Sequence, residues 1–85
     1  MGGKVTDSGG HPISGAVVYL KNTKSLVVKT SVTKKDGNYQ FSQLSPNADY
    51  EVYAEKDGNN STTKTLSAFD NRKIANISLR INLNK

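Results

Sequence analysis

The chain has 85 residues, which is enough for one domain and one hydrophobic core. Hydrophobic residues make up only 34% and cysteine is absent, which excludes a disulfide scaffold, a zinc–thiolate centre and a cysteine nucleophile. The net charge is +5, yet the basic residues are scattered and no like-charged run exceeds a pair, unlike a nucleic-acid-binding arm or a polybasic membrane segment. Edge lysines on a soluble β surface account for that charge, so neither a nucleic-acid partner nor membrane insertion is expected. Met1-Gly2-Gly3 has neither the charged nor the apolar part of a signal peptide and reads as an expression start.

The predicted elements are all extended. Gly3 to Thr6 forms a short first strand, and Ser8-Gly9-Gly10 a flexible turn, with Pro12 placed at a loop or sheet edge. Ala16 to Lys21 alternates, so that Ala16, Val18 and Leu20 share one face while Val17 and Tyr19 share the other. The polar stretch Asn22-Thr23-Lys24-Ser25 leads to a third strand from Leu26 to Thr33, rich in β-branched residues. Asp36-Gly37 supplies the positive φ of a hairpin into a fourth strand, Tyr39 to Leu44, in which Tyr39 and Phe41 share a face.

After a corner at Ser45-Pro46-Asn47-Ala48, a fifth strand runs from Asp49 to Lys56, with Tyr50, Val52 and Ala54 opposite Glu51, Tyr53 and Glu55. Asp57-Gly58-Asn59-Asn60 turns the chain into a polar sixth strand from Ser61 to Ser67. The last strand, Ile74 to Leu83, carries Ile77, Leu79, Ile81 and Leu83 at period two, with a bulge near Ala75 where Ile74 falls out of phase. Seven short strands with regular turn signals and no helical stripe predict an all-β, seven-stranded antiparallel sandwich of two sheets, with little or no helix.

The order Val5-Thr6-Asp7, Gly10, Pro12-Ile13, Gly15-Ala16, Val18, Leu20, Asp36-Gly37, Tyr39, Phe41, Leu44, Pro46, Tyr50, Val52, Ala54 and Gly58 resembles the carboxypeptidase regulatory-like domain. The resemblance extends from Lys4 to about Leu83 and implies a prealbumin-like (transthyretin-like) sandwich with Ala16, Val18 and Leu20 in the core. Tyr19 and Tyr53 then point outward. That family is an accessory module without catalytic residues, so the resemblance implies no enzyme activity and no active site. It implies a secreted, periplasmic or cell-surface bacterial protein in which the module contacts neighbouring domains. Similar domains also precede the plug of TonB-dependent transporters, which is a further reading.

A search for chemistry gives little. His11, the single histidine, lies in the first turn and reads as a solvated loop residue, so no metal site is expected. Asp36-Gly37-Asn38 and Asp57-Gly58-Asn59-Asn60 lack the acidic spacing of a calcium loop and are explained as turns, so no cofactor is expected. A Lys–Asn isopeptide bond, known from a related adhesin sandwich, would join Lys4 to Asn76 or Asn82 with Glu51 or Glu55 as acid. The strand phases send all of these outward. Tyr19 and Tyr53 form the candidate ligand site, because outward aromatic rings amid polar side chains can stack a glycan. Several carbohydrate-binding modules share the prealbumin-like architecture. Self-association through an unpaired edge strand is the remaining expected contact.

Overall fold

The computed structural model describes residues 2–42, 48–67 and 77–82. These residues form eight short strands: β1 (Gly2–Thr6), β2 (Val17–Asn22), β3 (Val28–Val32), β4 (Asn38–Gln40), β5 (Tyr50–Lys56), β6 (Asn59–Asn60), β7 (Lys64–Leu66) and β8 (Leu79–Arg80). A smaller sheet has the order β4-β1-β8, and a larger one the order β3-β2-β5-β6 with β7 also on β5. The two pack face to face as a sandwich.

The core lies between them. The larger sheet contributes Val18 and Leu20 from β2, Tyr50, Val52 and Ala54 from β5, and Leu66 from β7. Val5, Tyr39, Phe41, Leu79 and Ile81 are buried on the other side. The period-two alternation of β2 and β5 is what places these side chains together: Val18 pairs with Ala54 and Leu20 with Val52 across the ladder. Tyr39 and Phe41 meet edge to face with centroids 5.9 Å apart. The Tyr39 hydroxyl donates to the Ile77 carbonyl at 2.6 Å, and burial pushes its pKa well above the usual phenol value.

Several expectations change in detail. β1 begins at Gly2, and both leading glycines are strand residues: Gly2 pairs with Gln40, Gly3 with Tyr39, and the Ile77 N–H reaches the Gly2 carbonyl at 2.9 Å. A Cβ on Gly3 would collide with the Ile77 carbonyl, so only glycine fits at that position. β1 and β8 pair in parallel, with Val5 beside Leu79, so the sandwich is not wholly antiparallel. A parallel pair needs a crossover, and here everything from β2 to β7 lies between the two strands in sequence.

The expected sixth strand divides into two. A two-residue turn at Asp57 (φ 52°) and Gly58 (φ 81°) joins β5 to β6, so pairing begins at Asn59. At Ser61 the ladder is modified: its N–H still donates to the Ala54 carbonyl at 2.8 Å, its hydroxyl in place of its carbonyl accepts the Ala54 N–H at 2.8 Å, and its backbone also bridges to Ile81 beside the smaller sheet. β7 then resumes pairing with β5 at Lys64.

The third strand starts at Val28 rather than Leu26, because the Asn22 carboxamide accepts the N–H groups of Lys24 and Ser25 and extends the turn. Leu26 lies in that turn at φ 63°. The fourth strand ends at Gln40, with Phe41 and Ser42 outside any ladder, and the last strand is confined to Leu79–Arg80, with Ile77 and Ser78 before it not in strand. Residues 43–44, the corner at 45–47, residues 74–76 with the bulge near Ala75, and Leu83 lie outside the described residues.

Candidate functional site: the outer face of the larger sheet

The side chains that β2 and β5 do not bury emerge on the outer face of the five-stranded sheet. Tyr19 of β2 lies directly opposite Tyr53 of β5, and their rings stack with centroids 4.9 Å apart at an interplanar angle of 18°. The two tyrosines singled out from the sequence are therefore brought together, each giving one ring face to the other. The Tyr19 hydroxyl donates to Glu55 Oε1 at 3.1 Å, and that hydrogen bond to the carboxylate raises the tyrosine pKa. Glu51 and Lys21 face each other across the same ladder two residues along and complete a polar border.

β3 extends this face in a way its sequence alone did not reveal. Its register places Ser31 beside the inward Val18 and Lys29 beside the inward Leu20. Val28, Thr30 and Val32 must then point outward with Lys21, Tyr19 and Val17. Val28 remains 50% exposed and Val32 60%. The strand thus carries its apolar residues toward solvent and its polar ones toward the interior side, where Lys29 Nζ approaches the Ser42 carbonyl at 3.5 Å. The alternation Val28-x-Thr30-x-Val32 is visible in the sequence, but its phase is set by pairing with β2.

The other candidate groups are not assembled into a site. His11 is exposed, and its Nδ1 lies 3.4 Å from Asp7. Asp7 closes the turn by accepting the N–H groups of Gly9 at 2.8 Å and His11 at 3.0 Å. The His11 N–H above all holds the Asp7 carboxyl below the usual carboxylate range. Asp36 accepts both the backbone and side-chain N–H groups of Asn38, and the backbone bond is the larger cause of its lowered pKa.

Among the described residues, no three His, Asp or Glu side chains lie close enough to hold a metal. Lys4 and Asn82 are exposed in the smaller sheet and its flank, while Glu51 and Glu55 lie on the outer face of the larger one. Asn76 lies outside the described residues. An open cleft of about 330 Å³ is lined by Thr6, Thr62, Lys64, Ser78, Leu79 and Arg80. Lys64 Nζ in that cleft already donates to the Ser78 carbonyl at 2.7 Å.

Sequence reading missed the polar groups that lock the interior. Thr33 is buried, with its hydroxyl donating to the Ile13 carbonyl at 2.7 Å and accepting the Ala16 N–H at 2.9 Å. It fastens the end of β3 to the loop before β2. Ser61 performs the corresponding task between the two sheets. Threonine and serine in a polar-rich chain carry no signal that marks these particular ones as buried.

Two sheets with one shared core and a parallel contact between the first and last described strands define a small β-sandwich. The family model of the carboxypeptidase regulatory-like domain matches residues 1–80, and the chain belongs to that family. No curated protein matches the sequence. The family is non-catalytic in general and is compatible with an accessory role.

Proposed function

We propose that this domain is a non-catalytic accessory or structural module of a secreted or cell-surface protein, and that it makes contacts to neighbouring domains through the outer face of its larger sheet. The observation that supports this reading is the inverted β3 strand. Val32 beside Val17 extends the Tyr19–Tyr53 stack, with Thr30 next to Tyr19 and Val28 exposed beside Lys21, although a lone sheet face would be better solvated with the phase reversed. A contact surface of this kind gains free energy when a second surface displaces its water.

Calorimetry of the parent polypeptide tests the reading. A covered face couples the unfolding of this domain to that of its neighbour, and the double substitution Val32→Ser, Tyr53→Ser uncouples the two transitions. Transitions that are already independent in the unmodified protein contradict it.

A second reading, glycan binding by Tyr19 and Tyr53, is favoured by their direct juxtaposition beside Glu55 and Lys21. Polysaccharide pull-down that is lost in a folded Tyr19→Ala, Tyr53→Ala variant supports it. Absence of binding to a broad glycan panel removes it.

A further inference from the structure

We infer that β3 is a self-complementary edge, which pairs antiparallel with β3 of a second copy about a two-fold axis through Thr30. The inference is independent of the contact surface proposed above, because it concerns the rim of the sheet rather than its face. Among the described residues β3 ends the larger sheet, with β2 as its only ladder partner. The direction of its free backbone groups follows from the antiparallel alternation. Asn22 N–H donates to the Val27 carbonyl and Thr33 N–H to the Ala16 carbonyl, both at 2.9 Å. Counting in twos from these, the N–H and C=O groups of Lys29 and Ser31 turn toward β2. Those of Val28, Thr30 and Val32 turn away from it.

An antiparallel partner must pair outward groups with outward groups, which leaves few registers. An axis through Lys29 would set two lysines against each other at the closest cross-strand spacing. Centring the axis on Ser31 shortens the overlap to Thr30 and Val32. With the axis on Thr30, Val28 faces Val32 of the second copy, Thr30 faces its own equivalent, and Lys29 faces Ser31. Every outward group of the strand is then paired, valine meets valine on the outer face, and no like charges oppose. Only the outward residues Val28, Thr30 and Val32 read the same in both directions, so in this register residue i meets j and j meets i with like apolar or polar partners. In such a dimer the two larger sheets become one, with the valines of both edge strands continuous with both tyrosine stacks.

The net charge of +5 on each copy opposes association, so the dimer is favoured by high protein concentration and by salt. Sedimentation equilibrium in about 0.5 M salt, where charges more than a few ångströms apart are screened, should show a reversible monomer–dimer equilibrium. Substituting both valines by lysine, Val28→Lys with Val32→Lys, opposes like charges twice and weakens association by about tenfold or more. Pairing Val28→Glu with Val32→Lys sets opposite charges across the same positions and restores association to near the unmodified level. Rescue is specific to the Thr30-centred register.

Amide exchange on the unmodified chain provides a reading free of folding effects. Protection at Val28, Thr30 and Val32 should rise with protein concentration, while Lys29 and Ser31 remain unchanged. A chain that stays monomeric to about millimolar concentration in high salt, or one whose dimer ignores both charge variants, overturns the inference. Concentration-dependent protection elsewhere, without change at those amides, overturns it as well.

Discussion

Leu26 occupies a backbone conformation that glycine or asparagine adopts with less strain, at φ 63° and with its side chain 64% exposed. Its side chain therefore offsets little of that strain through burial. Leu26→Gly is expected to raise the stability of the domain by about 0.5–1 kcal/mol, measured by denaturant unfolding. Thr33 makes the opposite case. Thr33→Val keeps the shape but leaves the Ile13 carbonyl and the Ala16 N–H without their side-chain partner, a loss of about 2–3 kcal/mol in the same measurement. Gly3→Ala forces a methyl group against the Ile77 carbonyl and the Tyr39 hydroxyl, and is expected to cost about 1–3 kcal/mol through displacement of that contact. None of these three effects was legible in the sequence. Those at Thr33 and Gly3 depend on what another segment places beside the residue, since Ile13, Ala16 and Ile77 are far from their partners along the chain, and that at Leu26 depends on a backbone angle set by the local Asn22 turn.

At the scale of elements, legibility followed burial. β2 and β5 are flanked on both edges by other strands and covered on one face, so their apolar period had to match the core, and their faces were readable residue by residue. β3 has β2 on one side only and lies at the end of the larger sheet, so the core imposes no phase on it. Its apolar residues turned outward accordingly. The glycine positions were legible, but the hairpin expected at Asp36-Gly37 does not form: β4 pairs with β1 in the smaller sheet and not with β3, so that turn carries the chain from one sheet to the other. Asp57-Gly58 forms a tight two-residue hairpin, whereas Asp36-Gly37 lies in a longer loop closed by the Lys34 N–H on the Asn38 carbonyl at 3.0 Å. Gly58→Ala, at φ 81° with open space around it, is expected to destabilise by about 1 kcal/mol through backbone strain alone. Gly37→Ala adds a collision with the Val5 carbonyl and Pro12 at φ 80°, so its loss of melting temperature should be the larger of the two.

At the scale of the whole molecule, the titrating groups bound the pH range of stability from both sides. Asp7 and Asp36 have lowered pKa values in the folded chain, so their contribution is present above the ordinary carboxylate value of 3.8 and fades as the pH falls through the folded values. Tyr39 has a raised pKa: its contribution is complete below the ordinary phenol value of 10 and is lost as the pH rises beyond it, since only the unfolded chain then ionises readily. Alkaline unfolding should therefore begin above about pH 10, and Tyr39→Phe should flatten that limb while lowering stability at neutral pH by about 1 kcal/mol. A melting-temperature profile of the two proteins against pH checks both parts.

That Tyr19 and Tyr53 face outward was legible because strict alternation fixed it, whereas their stacking rests on the β2–β5 register and the exposure of the valines on the phase of an edge strand, neither of which one strand's sequence carries. That outer face is the part of the molecule proposed to meet a neighbouring surface. Hydroxyl-radical footprinting of this domain alone and within its parent protein measures that most directly. Protection in the parent at Val17, Tyr19, Val32 and Tyr53, with labelling around the cleft of Thr62, Lys64 and Arg80 unchanged, is the predicted result. Equal labelling of the outer face in both settings, or protection confined to the cleft, would contradict it.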